Sequence, residues 1–131
     1  MEEEINEYGQ IALRAVEIFK KEQYGLDKCW MQAAYKIYPQ SISCAEKGCP
    51  RYAFLGLCEE GMVIGIEKGN YTGSILNKAY AVAAVKLLRQ KNLNDINPKE
   101  LWNQLPLNHP DTHNHQMDVV SALWRNNLIS K

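Results

Sequence analysis

Apolar residues return at three- and four-residue steps through most of this chain, the spacing that lines one face of a helix. Ile5, Tyr8, Ala12, Ala15 and Phe19, flanked by Ile11, Val16 and Ile18, predict a first helix. Its acids come first and its lysines last, as the helix dipole favours, and Tyr24-Gly25 supplies the stop. Asp27 is the expected cap of a second, short helix that buries Trp30, Ala33, Ala34 and Ile37 and cannot continue past Pro39. Ser43 and Glu46 predict a single helical turn inside a loop that runs to Pro50. Pro50, expected at the first helical position with Cys49 as cap, opens a helix carrying Ala53, Phe54, Leu57 and Cys58, and Gly61 ends it.

Met62 to Ile66 can run extended, and Gly61, Gly65 and Gly69 mark an irregular connection too short for a sheet. Thr72 or Ser74 then starts the strongest helix, Ile75 to about Lys91. Leu76, Tyr80, Ala83, Leu87 and Leu88 form its main face, while Val82 and Val85 point nearly opposite, so that its middle is apolar all round and belongs in the centre. Asn97-Pro98-Lys99-Glu100 is a start signal for a short helix with Leu101, Trp102 and Leu105, closed by Pro106. A loop to Asn114 leads into a last helix, His115 to Asn127, that buries Met117, Val120, Leu123 and Trp124, after which Leu128-Ile129 can fold back onto the core. The expected fold is all-α: a compact single-domain bundle of about six helices, residues 1–131, around the central helix 75–91.

Size and charge narrow the function classes. A chain of 131 residues can bury a core without disulfides or a metal. Its longest apolar stretch, Ala79 to Val85, is far below the roughly 20 residues of a membrane span, and the acidic Met-Glu-Glu-Glu start is unlike a signal peptide; a soluble cytoplasmic protein with no membrane partner is expected. Fifteen basic side chains balance fifteen acidic ones, which argues against a nucleic-acid coat. The balance is uneven along the chain. Residues 1–28 hold seven acids against four bases, whereas Lys68, Lys78, Lys86, Arg89, Lys91 and Lys99 face only Asp95 within 68–99. Intramolecular neutralisation is the first explanation, an anion-facing surface the second.

Five sets of residues bear on chemistry. Cys44, Cys49 and Cys58 precede His109, His113 and His115, but the spacings do not follow zinc grammar, and Cys29 and Cys58 fit apolar faces as small hydrophobes. Cys49, placed at a helix start near Lys47 and Arg51, is the candidate reactive thiol; no Cys–His–Asn order marks it as a nucleophile. The metal candidates are therefore Cys44, Cys49, His109, His113 and His115, set against the plainer reading that 106–114 is a good turn; Asp111 adds a carboxylate there. Lys68, Gly69, Asn70, Tyr71, Thr72, Ser74 and Lys78 form a candidate anion site at the start of the long helix, without the order of a phosphate loop. Glu59 and Glu60 point about 100° apart on a helix, a poor acid–base couple and an expected solvated end. The last helix offers a DNA groove only Arg125 and two asparagines, too few contacts for a recognition helix.

The run Cys49-Pro50-Arg51-Tyr52-Ala53-Phe54-Leu55-Gly56-Leu57-Cys58-Glu59-Glu60-Gly61, then Gly65-Ile66, Gly69-Asn70-Tyr71-Thr72, Asn77-Lys78-Ala79-Tyr80-Ala81 and the region His113 to Trp124, resembles a family of small bacterial helical proteins of about this length that has no assigned biochemical function. The resemblance implies a bacterial, free-standing, cytoplasmic domain and supplies no catalytic residue. The expected function is a non-enzymatic binding or regulatory module, taking a protein or a small anionic ligand and no cofactor, with Cys49 to Thr72 as its working face. The alternatives are a Cys/His metal-binding or thiol-dependent enzyme and a DNA-binding regulator.

Overall fold

The helical spacing is realised as α1 (Glu7–Glu22), α2 (Leu26–Ile37), the single turn α3 (Ile42–Ala45), α4 (Gly48–Glu59), α5 (Ile75–Lys91), α6 (Pro98–Asn103) and α7 (Gln116–Arg125) in a computed structural model. Residues 5–91 and 97–130 are described; Glu2, Glu3, Glu4 and Asp95, which entered the charge balance, lie outside the described residues. The fold class is all-α: the described residues form six helices and one isolated turn around one apolar core.

Two helix starts move from their expected places. Leu26 is buried, so α2 begins there on Gly25 and not on a cap by Asp27. α4 begins at Gly48, which puts Cys49 second and Pro50 third rather than at the cap and first positions. Proline is tolerated throughout a first turn because the amides there have no acceptor inside the helix. Asn97 caps α6 as expected, its side chain accepting from the Glu100 amide, and Ser74 does the same for Asn77 at the start of α5.

Helix packing shows which residues the core needs. α7 touches α1, α4, α5 and α6 and buries eight of its ten residues, so it is the hub and presents no face to a DNA groove. α5 forms over the expected residues and packs on α4 and α7, but its buried side is Tyr80, Ala81, Ala84, Val85, Leu87 and Leu88. Leu76, expected inward, is 59% exposed and Ile75 is 87% exposed. Two glycines permit the tightest crossings. A methyl group on Gly56 would stand 2.6 Å from Cβ and 2.8 Å from Cα of Lys78, and one on Gly9 would stand 2.8 Å from Ala122 Cβ. Only a residue without Cβ lets α4 meet α5, and α1 meet α7, this closely.

The extended segment expected at 62–66 shrinks to one antiparallel bridge, Val63 to Ile129. The Ile64 amide donates to the Leu128 carbonyl and the Ser130 amide to that of Met62, which holds Ile129 buried as the fold-back of the tail predicts.

Candidate functional site

The connection from α4 to α5 brings the expected anion-binding residues together and fills the seat from within. The Glu59 carboxylate accepts the Tyr71 amide at 2.8 Å, the Thr72 amide at 3.2 Å and the Lys78 ammonium at 2.6 Å. Lys78 also reaches Glu60 at 2.7 Å. Glu59 and Glu60 are therefore not a solvated end: although successive on the helix, they converge on one lysine that approaches over Gly56. The Lys78 hydrogen bond and then the two amides hold the Glu59 carboxyl down at about 2. Lys68 and Asn70 stay exposed, Gly69 donates its amide to the Glu59 carbonyl, and the Tyr71 hydroxyl donates to the Glu67 carbonyl.

A second set of polar groups meets on the other flank of α5. Cys49, Leu76, Asn77, Tyr80, Trp102, Pro110, Thr112, His113, Asn114 and Gln116 line a cleft of about 390 Å³. Four elements build it: the first turn of α4, the start of α5, the ring of Trp102 on α6 and the loop before α7. Trp102 anchors that loop by donating its indole N–H to the Pro110 carbonyl at 2.8 Å, and the His109 ring packs on it at 4.5 Å. Tyr80 meets Trp102 edge to face at 4.9 Å, giving the cleft an aromatic floor.

An amide relay crosses this cleft. Ser74 Oγ accepts from Asn77 Nδ2 at 3.0 Å, and Asn77 Oδ1 accepts from Gln116 Nε2 at 3.0 Å. Gln116 Oε1 accepts the Asn114 backbone amide, and Asn114 Nδ2 donates to Cys49 Sγ at 3.5 Å. Gln116, one of two buried polar residues among those described, spends both ends of its amide in this relay. His113 is half-buried and its Nδ1 has no hydrogen-bond partner. Burial pushes its imidazolium toward the neutral form, the Asp118 charge opposes this, and His115 adds to it.

The metal candidates do not assemble: among the described residues no three His, Cys, Asp or Glu side chains could hold one ion together. Cys49 and His113 share the cleft, and His109 lies on Trp102. His115 stands at the cap position of α7, where its Nδ1 is 2.8 Å from Asp118 and its ring is 4.6 Å from that of Tyr8. The Cys44 carbonyl accepts from the Tyr8 hydroxyl. All four cysteines are free; Cys29 and Cys58 are buried, and burial raises both thiols. Near Cys49, the Arg51 guanidinium is engaged with the Tyr52 hydroxyl, Met31 and Asp27.

Of the residues lining this cleft, sequence reasoning had singled out Cys49 and His113 as candidates but not Asn77, Tyr80, Trp102, Asn114 or Gln116. Only Gln116 carried a signal, a polar residue heading a helix that is otherwise buried.

The arrangement defines an all-α protein with a preformed polar cleft and an internally neutralised loop. A family model described as a family of unknown function (DUF6979) matches residues 5–130, and the chain belongs to that family. That match fits the expected resemblance to an uncharacterised family. No curated protein and no solved structure matches the chain.

Proposed function

We propose that the chain is a non-catalytic binding module and that the cleft between α4, α5, α6 and the 110–116 loop takes a small anionic ligand with a planar body. The observation that carries this reading is the makeup of the lining. It holds the polar side chains of Cys49, Asn77, Thr112, His113, Asn114 and Gln116, contains no carboxylate, and rests on Tyr80 and Trp102. The start of α4 adds first-turn amides, which favour negative charge. The anion seat expected at 68–78 is taken by Glu59, which turns the search for a ligand to this cleft. Four free thiols fit a reducing compartment, and no described helix is long and apolar enough to cross a membrane. These features support a cytoplasmic setting for the module.

Benzoate tests the reading, with benzamide as its neutral counterpart, by titration against the amide NMR spectrum. Benzoate is expected to shift Cys49, Asn77, Asn114 and Gln116 with a dissociation constant of about a millimolar, and benzamide to shift them less. His113→Ala and Asn114→Ala should abolish the benzoate shifts. Shifts confined to other surfaces, or equal responses to both probes, would refute the anionic-ligand reading.

A second reading rests on one contact, the Asn114 amide on Cys49 Sγ in a cleft that also holds His113: a thiol-dependent enzyme. It requires that iodoacetamide alkylate Cys49 faster in the wild type than in His113→Ala. Binding of benzoate that survives Cys49→Ser favours the first reading.

A further inference from the structure

The amide relay across the polar cleft runs in one direction only. A backbone N–H can only donate, so the end of Gln116 that faces the Asn114 amide is its oxygen, and its nitrogen faces Asn77. Asn77 must then offer its oxygen to Gln116 and turn its nitrogen to Ser74 Oγ, which also accepts the Asn77 backbone amide at 3.3 Å. Both side-chain oxygens are thereby spent inside the relay. Each carboxamide nitrogen carries two protons and spends one, so Asn77 and Gln116 each keep an N–H with no acceptor among the described residues.

Tyr80 adds a further donor beside them. It stands three residues along α5 from Asn77, on the same side of the helix. It lines the same cleft and is 5% exposed, yet its hydroxyl makes no hydrogen bond among the described residues. A tyrosine hydroxyl on so deeply buried a ring ordinarily has a partner. The ring is held by its edge-to-face contact with Trp102, which leaves the cleft as the place from which a partner can come.

We infer that the Tyr80 hydroxyl and the spare N–H groups of Asn77 and Gln116 seat the head of the ligand, and that this head is an oxyanion that only accepts hydrogen bonds, a carboxylate or a sulfonate. This seat rests on the anionic-ligand reading of the cleft and names the atoms that hold the charge. Hydrogen bonds to an ionised acceptor are the strong ones, and neutral donors fixed in advance satisfy it without a cation. An ammonium head would face two N–H groups, with only the phenol oxygen to accept from it. The unspent side-chain oxygen of Asn114 belongs to an exposed residue outside this group of donors.

The test is a titration of the full chain with benzoate, read on the amide NMR spectrum of the wild type, Tyr80→Phe and Gln116→Glu, with far-UV circular dichroism to confirm that each is folded. Tyr80→Phe keeps the ring against Trp102 and removes only the hydroxyl, and should raise the dissociation constant about tenfold. Gln116→Glu keeps an oxygen for the Asn114 amide but turns a second oxygen and a charge toward Asn77, and should abolish the shifts. On the wild type, benzenesulfonate should displace benzoate from the same residues, and benzylammonium should shift none of them. Should a variant fail to fold, this ligand series decides alone. If Tyr80→Phe binds benzoate in the cleft as tightly as the wild type does, the head sits elsewhere: the seat is overturned and the anionic-ligand reading stands. Benzylammonium that binds at Asn77 and Gln116 as tightly as benzoate also overturns the seat. If neither anion shifts any cleft amide of the wild type, the seat and the reading fall together.

Discussion

Gly56 is the residue on which the α4–α5 crossing depends, since Lys78 Cα, a backbone atom that cannot swing away, lies where a methyl group would reach. Alanine is the better helix former by about 1 kcal/mol, whereas overpacking costs about 1–3 kcal/mol. The clash should win: Gly56→Ala is expected to lose about 1–2 kcal/mol in urea denaturation. Gly73→Ala, with nothing within 4 Å, is the control and should change stability by less than about 1 kcal/mol. In the sequence nothing singles Gly56 out within the predicted helix. Its role depends on Lys78, twenty-two residues away, and helical periodicity carries no information on which two faces meet. Cys29 and Cys58 were legible as buried hydrophobes because their apolar neighbours recur at helical spacing.

The helices as elements follow closely from spacing, caps and prolines, and the errors fall where a side chain outranks a local signal. Burial of Leu26 overrode the cap offered by Asp27, and the inward face of α5 turned away from Leu76 because α4 and α7 cover only one side of it. The element least legible was the 61–74 connection, whose last residues before α5 are held by the Glu59 carboxylate on the Tyr71 and Thr72 amides. Glu59→Gln keeps an acceptor but removes the charge on which two amides and an ammonium converge. It should cost about 1–2 kcal/mol for a site open to water on one side, and the Tyr71 and Thr72 amides should lose hydrogen-exchange protection while α7 amides keep theirs. Equal loss in both places would mean that Glu59 supports the whole bundle and not this loop.

For the molecule as a whole, His113 and the Glu59–Glu60 pair on Lys78 tie stability to acid, since each of the three is held below its ordinary value. His113 is held below its ordinary value of 6.5, mainly by burial, so the unfolded chain takes up protons first and stability declines as pH falls through that value. Glu59, held near 2 against an ordinary 4.5, contributes stability above 4.5 that is lost as pH falls toward 2. The melting temperature should step down twice on acidification. His113→Asn should remove the upper step and Glu59→Gln should shrink the lower one, as followed by circular dichroism. The all-α class was readable from the whole chain, but the cleft was not, because its lining is drawn from residues 49, 76–80, 102 and 110–116 and meets only when four elements are in place.

The pairing of α1 with α7 joins segments about a hundred residues apart through the close approach at Gly9 and Ala122. A bundle whose helices pair with their sequence neighbours folds by zipping along the chain; here the core cannot close until the largest loop in the topology has closed. The rate of folding is therefore set less by how fast any helix winds than by the search that brings α1 to α7. During synthesis the part of the α1 apolar face that α2 does not cover stays unshielded until α7 arrives, which makes that interval one in which the chain is exposed to aggregation.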